Sequence, residues 1–416
     1  MKLKPGWRHV KLSDIAKIKS GSTPLRAEGE RYFSTAGTPW VKTLDLNNGE
    51  IISTDEKITD TALLETSCSV FPVGTVLVAM YGGFNQIGRT GLLTIPAAIN
   101  QALSGLILDR DKAEPAYILN YLNGNVKLWK KFAASSRKDP NITRDDVCGF
   151  PVLLPPLAEQ KKIAKILSTW DNAISVTEKL LANSQKQKKA LMQQLLTGKK
   201  RLLDENGTRF SETWKLYALS KLFQRVTTKN NGKSNNVVTI SGQHGLIKQE
   251  DFFKKTVASD TLDGYFLLKK GQFAYNKSYS NGYPMGAIKR LNRYPEGVVT
   301  TLYICFELTT PKKSCGDYWE HYFESGLLNN SLSQIAHEGG RAHGLLNVKP
   351  SDFFSLKVAV PGFEEQQKIA SVLSAADTEI STLEKKLACL KDEKKALMQQ
   401  LLTGKRRVKV DEAVAV

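Results

Sequence analysis

A twelve-residue string occurs twice in this chain: Lys188–Lys199 reads KKALMQQLLTGK, and Lys394–Lys405 reads the same, 206 positions later. A repeat at fixed offset defines the folding unit before any single element does. Followed upstream at the same offset, Glu159-Gln160 falls on Glu365-Gln366, Ile163-Ala164 on Ile369-Ala370, Asp171 on Asp377, Pro155 on Pro361 and Asn141 on Asn347. Near the two starts, Trp7 with Leu12-Ser13 is echoed by Trp214 with Leu219-Ser220. The chain is two copies of one unit, each a variable head followed by a well-matched tail.

The tails carry a helical pattern. In the first, Ile163, Trp170, Thr177, Ser184 and Leu191 form one series at intervals of seven, and Leu167, Ile174, Leu181, Lys188 and Leu195 form another. In the second the series are Ile369, Ala376, Leu383, Leu390, Leu397 and Leu373, Ile380, Leu387, Lys394, Leu401. Two such series four residues apart make the seam of a coiled coil. Each helix begins after a proline-containing break, Pro155-Pro156 or Pro361-Gly362, and stops at Gly198 or Gly404, the residue type favoured just past a helix end. Roughly 40 residues rising about 1.5 Å each make a rod of about 60 Å. One such helix alone reads as a core helix under its own head; two matched seams favour the helices pairing with each other. Lys188 and Lys394 interrupt the seam at equivalent places, where a polar residue can fix register. Antiparallel pairing would relate the heads by an approximate two-fold, the layout of a ruler.

The expected domains are a first head over 1–155, a helix over 156–200, a second head over 206–360, a helix over 361–405 and a flexible tail over 406–416. Short β-rich runs (Trp40 to Leu44, Thr75 to Met80, Ala102 to Leu108, Val152 to Leu154) with a later helical stretch from Pro115 to Phe132 predict α+β heads. At 416 residues each head can bury its own core. Lysine and arginine number 59 against 41 acidic residues, a net charge of +18, so the expected partner is a polyanion, with nucleic acid favoured over a merely soluble basic surface. No apolar run reaches membrane-spanning length and the start MKLKPGWRHV lacks a signal core, so no membrane is expected and the cytoplasm fits best. The five cysteines are scattered without a CxxC pair, which implies neither a disulfide framework nor a zinc site.

Candidate DNA-reading residues lie in loops that mix glycine, amides and cations, because amides can pair with adenine edges and cations with guanine edges or phosphates. In the first head these are Lys42, Tyr81, Asn85, Gln86, Arg89, Arg137 and Lys138; in the second, Asn276, Lys277, Tyr279, Asn281, Arg290, Arg341 and His343. The loops of the two heads differ while the tails match, which implies two reading surfaces and an asymmetric, two-part target.

Catalytic patterns fail on inspection. Lys233-Ser234 follows Gly232 without the earlier glycine of a phosphate loop, and His337 and His343 stand too far apart to share one helical zinc face. No GxGxxG follows a strand, and no Asn/Asp-Pro-Pro-Tyr/Phe stretch of the adenine-methylating type occurs. Neither catalytic residues nor a metal site is assigned.

Pro155-Pro156-x-x-Glu159-Gln160-x-x-Ile163-Ala164, the ending Leu195-Leu196-Thr197-Gly198-Lys199, and their echo from Pro361 to Lys405 strongly resemble the specificity subunit of type I restriction-modification systems. The Trp40–Leu46 run, the Gly74–Tyr81 strand and Ala98-Ile99-Asn100-Gln101-Ala102 resemble that family's first target recognition domain, whereas the second head has Thr300-Thr301-Leu302 at the corresponding place. The resemblance implies a non-catalytic subunit in which two target recognition domains each read half of a bipartite site on double-stranded DNA, with the paired helices setting the spacer. It implies docking of two adenine-N6 methyltransferase subunits and of ATP-dependent restriction subunits, whose cofactors are theirs; none is expected on this chain. Docking faces on the helices would include Gln160, Lys161, Lys165, Gln193 and Gln194, with Gln366, Gln367, Ser371, Gln399 and Gln400 as counterparts. Two other readings stand beside it: a two-headed protein-interaction scaffold that does not bind DNA, and a fused restriction and methylation enzyme, which would need motifs this chain lacks.

Overall fold

The structure, a computed structural model, describes residues 4–83, 85–133, 141–253, 261–338 and 346–410. The chain divides into two compact units, one of residues 1–178 with 385–416 and one of residues 179–384. The helices that organise them are α1 (Pro115–Gly124), α2 (Leu157–Leu195), α3 (Gly316–Glu324) and α4 (Phe363–Leu401). α2 and α4 each contribute one half to each unit, so every head is completed by the end of the other repeat's long helix.

In the first unit, a five-stranded sheet runs in the order Ala16–Ser20, Leu103–Leu108, Val76–Ala79, Thr90–Leu93, Glu50–Ile51. Val76-Leu77-Val78-Ala79 is buried throughout, because both faces of this central strand are covered. Alternation sends Val76 and Val78 into the core shared with α1 and the long helices, and Leu77 and Ala79 into a second core on the other face. The second unit repeats the design with four strands: Phe223–Arg225, Ile304–Leu308, Phe273–Asn276, Ala287–Arg290. There Phe273, Tyr275, Ile304 and Phe306 face the helical side, and Ala274 and Cys305 the other.

The sequence expects one helix from Pro115 to Phe132, but the structure breaks it at Asn125 into Pro115–Gly124 and Val126–Ala133. Gly124 weakens the helix there, and the Asn125 side chain donates to Tyr121 O at 2.8 Å, offering the backbone an alternative to continuing.

The seam lies where the heptads place it. Ile163, Leu167, Leu195, Ile369, Leu373 and Leu401 are buried, and Trp170, Ile174, Leu181, Leu191, Ile380, Leu383, Leu387, Leu390 and Leu397 are half-buried. The polar seam residue Thr177 is only 3% exposed, while apolar Val176, off the seam, is 56% exposed: position overrides residue type. Within the first unit, Lys394 Nζ meets Asp171 at 2.5 Å and Lys391 meets Glu178 at 2.7 Å. Within the second, Lys188 pairs with Asp377, and Ser184 Oγ donates to Glu379 at 2.8 Å. Residue numbers rise along α2 as they fall along α4 in both units, so the helices pair antiparallel.

Candidate nucleic-acid interface and the clamps behind it

Both central sheets carry a hairpin in the same topological place. Val76–Ala79 pairs antiparallel with Thr90–Leu93, and Phe273–Asn276 with Ala287–Arg290. The first hairpin loop presents Tyr81 and Asn85, both exposed, with half-buried Gln86 and Arg89. Gly82 and Gly83 have φ of +113° and +78°, and a Cβ on Gly82 would meet the Gln86 carboxamide at 2.8 Å, so the turn needs glycine there. The second loop presents Tyr279, 64% exposed, and Asn281 beside Gly282 (φ +84°). Asn276 and Lys277 at its base are half-buried; Asn276 Oδ1 accepts from Ser278 N at 3.2 Å, and Lys277 Nζ donates to Val348 O at 3.3 Å. Burial, then Arg225, holds the Lys277 ammonium below its ordinary pKa.

Two candidates stand apart from these loops and are engaged by carboxylates. Lys42 Nζ contacts Glu56 at 2.5 Å and Asp55 at 3.1 Å, and its pKa is raised chiefly by Glu56. Arg290 is held by Asp317 at 2.8 Å and Glu320 at 3.5 Å. Arg137, Lys138, Arg341 and His343 lie outside the described residues.

The long helices are anchored by a three-residue clamp that sequence reading passed over. Glu159, 2% exposed in the first turn of α2, accepts from Trp7 Nε1 at 3.0 Å and from Arg407 through Nε at 3.0 Å and Nη2 at 2.7 Å. Glu365 in the first turn of α4 accepts from Trp214 Nε1 at 3.1 Å and from Arg201 through Nε at 2.6 Å and Nη2 at 2.7 Å. A fork-shaped guanidinium matches both carboxylate oxygens, and the helix N-terminus favours the anion. The chain reaches each clamp through a glycine turn: Gly198 (φ +69°) packs under Trp214 and Gly404 (φ +67°) under Trp7. Its signal was present in the sequence, since Trp7/Trp214, Glu159/Glu365 and Arg201/Arg407 all recur. Arg407, assigned to a flexible tail, is instead pinned, and residues 411–416 lie outside the described residues.

Gln160 and Gln366 correct a second expectation, that they belong to exposed docking faces. Both are buried. Gln160 accepts from Glu114 N at 2.9 Å and donates to Lys112 O and Pro155 O; Gln366 accepts from Cys315 N at 3.0 Å and donates to Pro361 O. A carboxamide can satisfy a loop's N–H and C=O together, so these glutamines sew each head to its helix start. Lys161, Lys165, Gln193, Gln194, Gln367, Ser371, Gln399 and Gln400 are exposed.

Among the described residues, no group of His, Cys, Asp and Glu could hold a metal ion, and no helix is long and apolar enough to cross a membrane. What recurs is scaffold and clamp, and what differs is the hairpin surface.

Residues 4–183 match the family model described as the type I restriction modification DNA specificity domain. Along most of its length the chain is similar to type I restriction enzyme specificity subunits. It is 25% identical to the type I restriction enzyme MjaVIII specificity subunit of Methanocaldococcus jannaschii, over 97% of this chain and 93% of the relative. It is 26% identical to the putative MjaX specificity subunit of the same organism, over 81% of this chain and 79% of the relative. In fold it is similar to the type I restriction-modification S subunit from M. genitalium, with a TM-score of 0.58 and 14% identity over 96% of this chain and 98% of that one.

Proposed function

We propose that this chain is the sequence-reading subunit of a type I restriction-modification complex, with heads 1–155 and 206–360 as target recognition domains for the two halves of an asymmetric site. The helices of 156–200 and 361–405 set the spacer between those halves. The observation that carries this reading is the contrast within the repeat: Glu159/Glu365, Arg407/Arg201 and Trp7/Trp214 make the same clamp twice, while Tyr81–Arg89 and Lys277–Gly286 share a place in the sheet but differ in sequence, with Gln86 and Arg89 in the first and Lys277, Tyr283 and Pro284 in the second. Two identical readers would serve a palindrome; two different ones serve an asymmetric site.

The net charge of +18 supplies salt-dependent attraction to phosphates, and amides and aromatics in the hairpins supply choice among bases. The duplex repeats about every 34–36 Å, so two heads on a rigid helix pair can reach successive major grooves. Methylation of adenine and ATP-dependent cleavage belong to partner subunits, two methyltransferases and the restriction subunits, and this chain contributes no catalytic group. Its place of action is the cytoplasm.

The test is adenine-methylation mapping in cells that hold the methyltransferase partner, with and without this chain. A bipartite asymmetric motif that vanishes with the chain is the expected result. Unchanged methylation would move the reading to a protein-interaction scaffold.

A further inference from the structure

The two head helices align through a shared Tyr-x-x-x-Tyr pattern, Tyr117–Tyr121 in α1 and Tyr318–Tyr322 in α3. The paired rings lie 6.2 Å apart in both, at interplanar angles of 31° and 29°. This equivalence puts Asn120 opposite His321, Ala116 opposite Asp317, Leu119 opposite Glu320 and Asn123 opposite Glu324. The second head has therefore replaced a mostly neutral helix face with a charged one.

That face works in two directions. Towards the reading hairpin, Asp317 and Glu320 hold Arg290, and Glu324 holds Lys289, both cations standing on the strand that closes the loop. Towards the long helices, His321 Nε2 lies 3.0 Å from Ser374 Oγ of α4, and its Nδ1 lies 3.7 Å from Asp377 Oδ2. The first distance is a hydrogen bond; the second is beyond one and leaves only an electrostatic contact. Asp377 is itself the partner of Lys188 from α2. Hairpin strand, head helix and both long helices thus meet around one buried imidazole, 7% exposed. In the first unit, the Asn120 carboxamide instead donates to Ala116 O of its own helix.

We propose that His321 is a positioning residue that fixes the second reading head on its helix pair, so that the second half-site is read at one distance only. This rests on the function proposed above. Specificity has two components in a bipartite reader: the bases each head accepts, and the spacer between them. His321 acts on the second alone, since it touches the strut behind the hairpin and none of the exposed loop residues.

The experiment uses the full chain with its methyltransferase partner and reads the methylated motif, spacer included. His321→Ala is expected to keep both half-site sequences, to admit spacers one base pair off, and to lower modification at the native spacer by up to about a hundredfold, as a misplacement of about 1 Å caused by a mutation far from the chemistry can do. His321→Gln, which can still bond Ser374, is expected to restore the single spacer. A single native spacer at full rate in His321→Ala overturns the proposal. Should that variant lose all methylation, Ser374→Ala, which removes only a hydroxyl, decides: a spread of spacers supports the role and native spacing overturns it. Absence of any chain-dependent motif with the unaltered protein would defeat the functional reading instead. The strut is then tested by nitroxide labels at Arg293 and Ser371 in a Cys389→Ser background, where an unbroadened distance distribution in His321→Ala overturns the inference.

Discussion

The first head packs its helix to the sheet with neutral groups: Asn123 bonds Asn48 O at 2.8 Å and accepts from Thr90 Oγ1 at 2.6 Å. The second head ties the equivalent helix with Arg290–Asp317 and Lys289–Glu324 ion pairs. Their interiors diverge as well. The first is chiefly aliphatic, with Trp129 stacked on Phe150 at 4.0 Å, and the second is a mesh of aromatic rings around Phe223, Phe306 and Trp319. Against that freedom, the clamps on Glu159 and Glu365 are the same in kind and nearly so in geometry. A duplicated fold can repack a head at will, because packing needs only volume and shape. It cannot vary the point where two repeats must interlock without changing both partners at once.

The largest effect that would break the equivalence of the clamps comes from their arginines. Arg201 is 19% exposed and Arg407 is 40% exposed, over carboxylates that are both 2% exposed. Removing one member of a buried ion pair costs about 3–5 kcal/mol, because the remaining charge loses its partner away from water. Arg201→Ala is expected to fall in that range in urea unfolding, and Arg407→Ala to cost visibly less, since water reaches Glu159 more readily once its guanidinium is gone. Equal, small losses would mean that the clamps are surface features.

A smaller effect would sharpen the difference between the head helices. Burial is the first cause holding the His321 imidazole below its ordinary 6.5; Lys188 acts in the same direction, and Asp377, Asp317 and Glu324 oppose it. The native ring is therefore neutral where the unfolded one takes a proton. Its contribution to stability is fully present above about pH 6.5 and is lost as pH falls through the native value. Melting curves from pH 7.5 to 5 should fall more steeply for the unaltered chain than for His321→Asn, which carries the first head's residue. Parallel curves would mean that the ring is not held neutral.

How much of this was legible in the sequence follows the same division. The seam was readable to the residue, because heptad spacing is geometry written in one dimension: Thr177 is buried and Val176 is not, as position alone requires. That the two helices pair was expected from their matched seams, with their antiparallel sense visible only in the ion pairs, and the first head's central strand was legible in the apolar run Thr75 to Met80. The buried roles of Gln160 and Gln366 were misread, since glutamine reads as a surface residue unless the loop N–H and C=O that it satisfies are in view. The clamps escaped because their members are about 150 to 250 positions apart. Lys42 and Arg290 looked like free cations, and only the fold reveals their carboxylate partners. What a loop offers to a base depends on such long-range company, so the hairpins were found as places more readily than as chemistries.

The smallest expected effect separates a pair of tyrosines that sequence makes twins. Tyr117 Oη donates to Leu153 O at 2.7 Å, whereas Tyr318 Oη is buried without a partner among the described residues. Burial raises the pKa of both phenols, so each stays protonated and has a hydrogen to donate. A hydrogen bond within the fold contributes about 1 kcal/mol net, while a buried hydroxyl without one costs a similar amount or more. Tyr117→Phe should therefore lower stability by about 1 kcal/mol, and Tyr318→Phe should leave it unchanged or raise it by up to about 1 kcal/mol, on the same scale. Urea midpoints at constant slope resolve differences of this size. If both variants lose equally, Tyr318 has a partner that its twin's geometry does not foretell, and the second head is tied to its helix by more than His321.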